Sequence, residues 1–214
     1  MNVQPLKKPA FDKAIFAEAA EQIIKAGKFL DAKGWAPATS GNYSARLDSE
    51  FAAITVSGFP KGQLTAEGVM IVDMHNNPQD ARRPSAETAL HTMLYQLDDK
   101  IGAVLHTHSV NAVVLSRLTK KNKLRLEGYE LLKAFSGIET HETEVIVPIF
   151  DNSQDIPALA EEVREKIEGH SKVRGFLIRG HGLYTWGGNM AEAQRAVEAV
   201  EFMFDCEMQQ RKYK

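Results

Sequence analysis

Apolar residues at Phe11, Ile15, Phe16, Ala19, Ile23, Ile24 and Leu30 recur near helical spacing, which predicts an amphipathic first helix ending around Lys33-Gly34, where glycine can close it. The pattern then shortens to strand-like runs at Asn42–Leu47, Phe51–Val56 and Val69–Met74. Asp48-Ser49 separates the first two, and the turn residues His75-Asn76-Asn77-Pro78 close the third, so a small antiparallel meander is expected. Pro84-Ser85 should introduce a helix running to about Leu97. A buried-type run follows at Ile101–Leu105, then helices near Asn111–Arg117 and Tyr129–Phe135. Glu144–Phe150 is β-branched and apolar enough for a central strand, with Pro148 expected at its end. Asp155 can cap a helix through about Glu168. Gly175–Arg179 and Leu183–Trp186 read as strands around the turn Gly180-His181-Gly182, and Asn189 can cap a long closing helix whose inner face carries Ala193, Ala196, Val197, Val200 and Phe204. Over the second half, strand and helix alternate, a pattern that by itself suggests parallel α/β units. No repeat, low-complexity segment or composition break marks a linker, so residues 1–214 are expected to form one α/β domain.

Composition narrows the class. The 214 residues are 43% hydrophobic and 25% charged, as in ordinary globular proteins, against the disordered and collagenous classes. The 26 Lys and Arg nearly balance the 28 Asp and Glu, leaving a net charge of −2, so no general field draws the chain to nucleic acid or anionic lipid. An anionic ligand must therefore be held by local groups. The single cysteine, Cys206, excludes an intramolecular disulfide and a Cys-rich zinc module, and in the last helix it more often packs than reacts. Met1–Phe16 carries Lys7, Lys8, Asp12 and Lys13 and lacks the apolar core of a secretory leader. No stretch approaches the roughly 18 uncharged apolar residues of a membrane span. A cytoplasmic location is expected.

The most informative local feature is Leu105-His106-Thr107-His108. Alternate strand residues share a face and stand about 6.6 Å apart, so two imidazoles at this spacing can chelate one ion, or can be two ordinary half-buried histidines. An open Lewis-acid site needs a third ligand, and Arg179-Gly180-His181-Gly182 is the best supplier because its glycines allow close approach. His75, His91, His141 and His170 lack such a setting and read as turn, core or surface residues. Three further segments, Thr39-Ser40-Gly41-Asn42, Ser57-Gly58-Phe59-Pro60-Lys61-Gly62 and Arg83-Pro84-Ser85, place hydroxyl or amide groups beside glycine or at a helix start. Such groups can wrap a phosphate while Lys61 supplies a point charge, or serve as plain turns and a cap from Ser85. Neither Walker A nor G-x-G-x-x-G occurs, which disfavours nucleotide binding. Among the carboxylates, Glu87 falls in the first turn after Ser85, and Glu130 has apolar neighbours in Leu126–Leu131 that could raise its pKa.

Taken in order, Thr39-Ser40-Gly41-Asn42, Ser57-Gly58, Pro84-Ser85-Ala86-Glu87, His106-Thr107-His108 and Gly180-His181-Gly182 resemble the class II aldolase/adducin family over nearly the whole chain. Within it, the stretches Leu126–Ala134 and Arg179–Gly187 are similar to dehydratases that act on a methylthio-ketose 1-phosphate in methionine salvage. The resemblance implies a three-layer α/β/α sandwich around a mainly antiparallel sheet, which would make the parallel reading above locally misleading. It also implies one zinc per chain on His106, His108 and His181, a phosphate pocket lined by Asn42, Ser57, Gly58, Lys61 and Ser85, and a homotetramer with sites near subunit interfaces. Glu130 matches the dehydratase acid/base and Glu87 a catalytic or metal-approaching glutamate of the aldolases. Neither nucleic acid nor membrane is implied as a partner. Tyr129, Tyr184 and Trp186 are candidates for the methylthio end or for simple packing. The other activities open to the family are sugar-phosphate aldol cleavage or epimerisation, and a non-catalytic assembly module.

Overall fold

A computed structural model describes residues 11–213; most of Met1–Phe16, read above as free of an apolar leader, lies outside them. Eight strands form one sheet in the order β3-β2-β1-β4-β8-β7-β6-β5. In chain order these are β1 (Asn42–Arg46), β2 (Phe51–Thr55), β3 (Val69–Asp73), β4 (Ala103–Thr107), β5 (Lys123–Glu127), β6 (Glu144–Phe150), β7 (Gly175–Ile178) and β8 (Gly182–Gly187). Among the described residues there are five α-helices: α1 (Lys13–Ala32), α2 (Thr88–Leu97), α3 (Val110–Leu118), α4 (Ile156–Ile167) and α5 (Met190–Lys212). No helix of the described residues is long and apolar enough to cross a membrane.

Side-chain alternation along the strands builds the layers. Ala52, Ile54, Val104, Phe176 and Ile178 pack with Leu90 and Leu94 of α2 and Leu159 and Val163 of α4. The opposite face buries Tyr43, Ala45, Ala53 and Leu105 with Ile23 and Leu30 of α1 and Val197 of α5. Farther along the same face, Val145, Val147, Leu177 and Leu183 meet Leu115 of α3 and Val200 and Phe204 of α5. Helices on both faces of an open sheet give the expected α/β/α sandwich.

The sheet is antiparallel except where β6 pairs with β7, so the parallel alternation suggested by the second half is corrected. Only α4, between β6 and β7, returns the chain in parallel to an adjacent strand; the helix after β4 does not. β4 lies between β1 and β8, both antiparallel to it. Pro148 lies two residues inside β6 rather than at its end. It is tolerated there because the β6–β7 ladder begins only at Ile149. The helix expected from Pro84-Ser85 starts at Thr88, since Ser85 instead closes a turn: its carbonyl accepts from the Thr88 N–H at 3.2 Å and hydroxyl at 2.6 Å. The helix expected near Tyr129–Phe135 is a single 3₁₀ segment, Glu130–Ala134. Strand β5 was not legible in the pattern, having only Leu124 and Leu126 as apolar members on a sheet edge. The caps behave as expected. Asp155 accepts from the Ala158 N–H and Asn189 from the Glu192 N–H, and Ser109 does the same for α3 through Ala112.

Candidate active site

Period-two alternation decides which side chains meet beneath α2. On β1, Tyr43 and Ala45 enter the α1 layer, so Asn42 and Ser44 face α2. His106 of β4 and Tyr184 of β8 are direct cross-strand partners, and Asn42 pairs with His106 from the other side. From α2 come Glu87, at its N-cap, and His91 one turn on. His106 is wholly buried, and His108 follows just beyond the end of β4.

His181 arrives on the β7–β8 turn. Gly180 adopts φ +68°, and a Cβ on Gly182 would lie 2.0 Å from the Thr107 carbonyl oxygen and 3.0 Å from His106 Cε1, so only glycine lets β8 start against the end of β4. Arg179 fixes the turn from outside by donating to Asp151 at 2.7 Å and to the Ser116 carbonyl at 2.5 Å. The Gly180 N–H donates to the Ser116 hydroxyl at 2.9 Å.

The result is a three-histidine cluster whose candidate ligand atoms all lie within 4.8 Å of one another. The His106 Nδ1–H donates to the Leu183 carbonyl at 3.0 Å, which leaves the Nε2 lone pair free and 3.3 Å from His181 Nε2. Burial pushes the His106 imidazole well below its ordinary pKa, and burial with His181 nearby pushes His108 down to about 4. A neutral buried ring oriented by a backbone carbonyl, a neutral half-buried ring and a third ring converging on one point fit a divalent transition metal such as zinc.

Glu87 closes this cluster. Its Oε1 is 3.0 Å from His181 Nε2, and its Oε2 is 3.3 Å from His106 Nε2. The same Oε2 accepts from Asn42 Nδ2 at 2.7 Å and from the Tyr184 hydroxyl at 2.8 Å. Burial alone would raise the carboxyl, but the adjacent His106 and His181 and the Asn42 hydrogen bond outweigh it and hold the group well below the usual carboxylate range.

In front of the triad lies a cavity of about 190 Å³ lined by Ser40, Asn42, Ser57, Gly58, Lys61, Ser85, Glu87, His108 and His181 among others. All five residues expected for phosphate therefore border one cleft. Backbone pairing brings the segments together: Val56 bridges Pro84, the Ser57 N–H donates to Arg83 and the Ser85 N–H to Thr55. Lys61 is buried, donating to the carbonyls of Thr39 at 2.9 Å and Phe59 at 2.8 Å, and burial pushes its amine down to about 8.

Glu130 is not brought to this cleft. It is solvent-exposed on the 3₁₀ segment, bound to Lys133 at 2.5 Å and 3.6 Å from His141. The lysine hydrogen bond lowers its pKa, so the apolar neighbours in sequence do not raise it. Beside that segment runs a separate groove of about 630 Å³, lined by Lys33, Trp35, Leu131, Ala134, Arg195, Glu201 and Phe202. Leu131 and Phe202 are exposed there, and among the described residues neither oxygen of the buried Glu201 has a hydrogen-bond partner. Of the aromatics, Tyr184 is wholly buried and stacked on His106, Trp186 packs on the core, and the Tyr129 hydroxyl donates to Glu207. Tyr184 both packs and reaches the site through its hydroxyl on Glu87. His91, a core or surface residue by sequence, is wholly buried beside Asn42. The detectable signal was its position four residues after Glu87, one turn along the same helix face.

The Class II Aldolase and Adducin N-terminal domain matches residues 21–208. Methylthioribulose-1-phosphate dehydratase of Marinobacter nauticus is 59% identical over 201 residues, covering 93% of this chain and 97% of that protein. The enzyme of the same name from Pseudomonas aeruginosa is 57% identical, covering 89% and 94%. Among solved structures, an L-fuculose 1-phosphate aldolase superposes with a TM-score of 0.76 at 25% identity, over 92% of this chain and 88% of that one. L-fuculose-1-phosphate aldolase from Thermus thermophilus gives 0.75 at 25% identity, over 92% and 97%.

Proposed function

Because the chain belongs to the class II aldolase and adducin family, we propose that it dehydrates 5-methylthioribulose 1-phosphate to 2,3-diketo-5-methylthiopentyl 1-phosphate, a hydro-lyase step of methionine salvage. The observation that carries this reading is identity of 59% and 57% to dehydratases of that name, over about nine-tenths of a chain whose histidine triad opens on a Ser/Gly-lined cleft.

His106, His108 and His181 hold one divalent ion, which we propose to be zinc; when bound, it supplies Lewis-acid polarisation of the substrate carbonyl at C2 and so acidifies the C3 hydrogen. Ser57, Gly58 and Ser85 receive the phosphate through hydroxyls and backbone N–H groups, with Lys61 and Asn42 at the rim of the same cleft. Glu87 stays ionised against the triad. Glu130 moves the protons: it takes the C3 proton and returns one to the departing C4 hydroxyl, which leaves as water, and the enol tautomerises to the diketone.

Glu130 lies outside its own cleft, so in this reading it serves the site of a neighbouring copy. The groove beside it, with Leu131 and Phe202 exposed, is the face we assign to contacts in a homotetramer. The whole chain acts as one domain in the cytoplasm, where Cys206 stays reduced.

Glu130→Gln keeps size and hydrogen bonding but cannot shuttle a proton. It should lose about 10²–10⁴-fold in turnover while retaining its metal, with Glu87→Gln milder. Co-assembly of Glu130→Gln copies with His106→Ala copies should restore activity, because some sites then combine an intact triad with a neighbour's intact Glu130. Near-normal dehydration by Glu130→Gln, or hybrids as inactive as their parents, would contradict this mechanism.

A further inference from the structure

Behind Glu87 a row of buried polar groups runs from Asn42 through His91, Ser44 and Tyr95, the last three of which the mechanism above does not use. Asn42 donates to Glu87 Oε2 at 2.7 Å. The Asn42 Oδ1 in turn contacts His91 Nε2, His91 Nδ1 lies 2.7 Å from the Ser44 hydroxyl, and that oxygen lies 2.7 Å from the Tyr95 hydroxyl. Asn42, Ser44, His91 and Tyr95 are each at most 5% exposed.

The carboxylate at one end sets the direction of every bond. An ionised Glu87 only accepts, so Asn42 must turn its NH₂ toward it and its carbonyl toward His91. His91 must then carry its proton on Nε2 and present the Nδ1 lone pair to Ser44. Ser44 donates to that nitrogen and accepts from Tyr95. Four hydrogen bonds thus point the same way and end on one oxygen of Glu87, an arrangement in which each bond polarises the next. At the outer end, Arg46 anchors the row, its guanidinium 4.9 Å from the Tyr95 ring and donating to the Tyr95 carbonyl at 2.6 Å.

The need for such a row follows from the shape of an amide. Asn42 fits its space equally well when flipped, but the flipped form would set a carbonyl oxygen against the carboxylate of Glu87. The His91 Nε2–H penalises the flip from the other side, because a turned amide would set its NH₂ against that donor, so His91 and Glu87 together hold one orientation. With Asn42 and Tyr184 both holding Oε2, Oε1 is left directed at His181. We propose that His91, held by Ser44 and Tyr95, is a positioning residue that fixes the Asn42 amide and thereby aims Glu87 Oε1 at the histidine triad.

The turnover arm of the test rests on the dehydratase reading; the spectroscopic arm does not. In ¹⁵N NMR of the full-length protein as purified, the His91 ring should be protonated at Nε2 and bare at Nδ1, and the Asn42 side-chain amide should be protected from solvent exchange. His91→Leu should abolish that protection and lower kcat by about 10- to 100-fold, with KM and bound metal nearly unchanged. His91→Gln, whose amide nitrogen can still donate to Asn42, should restore both. The tautomer is read on the unmodified protein, so the inference stays testable even where the leucine variant fails to fold. An Nδ1–H tautomer, or leucine and glutamine variants alike in Asn42 protection and turnover, overturns it. A wild-type protein inactive on the sugar phosphate but with the expected tautomer and protection counts against the dehydratase reading alone.

Discussion

In the proposed reading Lys61 carries two tasks with opposing requirements. Two of its three donors tie the Thr39 and Phe59 loops together, leaving one for an anion in the cleft. Burial pushes its amine down to about 8, so the protonated form, which alone bears charge, is populated below that pH and lost above it. Affinity for a phosphate ester should therefore be flat from neutral pH to about 8 and weaken beyond it. Lys61→Gln should bind roughly tenfold or more weakly at neutral pH, with that alkaline loss removed. Calorimetric titration with a phosphate monoester across this range checks both. The triad was readable from His106, His108 and His181 because strand spacing and flanking glycines leave a local trace. The remoteness of Glu130 was not, since it depends on where a 3₁₀ segment ends up after the whole sheet has formed.

Elements with a strong local signature were legible, and those defined by competition between neighbours were not. The first helix, the meander and the closing helix follow directly from apolar periodicity and from caps such as Asn189. β5 escaped notice because its charged positions face outward at a sheet edge. α2 begins late because Ser85 spends its carbonyl on Thr88, and this same turn holds Ser85 in the cleft and sets Glu87 at the helix start. The β7–β8 turn couples sheet packing most tightly to the site. Gly182→Ala would drive a methyl to 2.0 Å from the Thr107 carbonyl oxygen, and the strand end that carries His106 and His108 would have to move. The expected cost is about 1–3 kcal/mol of stability together with substoichiometric metal. Urea unfolding and metal analysis of one preparation test this; full metal content at wild-type stability would show that the turn has more freedom than this packing allows.

The molecule as a whole gathers distant stretches of sequence into one cleft by making almost every strand contact antiparallel. β1, β4 and β8 lie side by side at the centre of the sheet, so Asn42, His106 and Tyr184 become neighbours across more than half the chain. Their grouping in order along the sequence was visible as a family resemblance, whereas the strand order that produces it was not visible in any local pattern. In the proposed reading assembly adds the last component, because the cleft holds the triad and Glu87 while Glu130 lies outside it. The decisive measurement is the mass of the product formed from methylthioribulose 1-phosphate, followed on protein of known metal content before and after chelation. A product lighter by one water, formed only by metal-loaded protein, is the expected result. Carbon–carbon cleavage, an epimer of unchanged mass, or no reaction by fully loaded protein would contradict the dehydratase account.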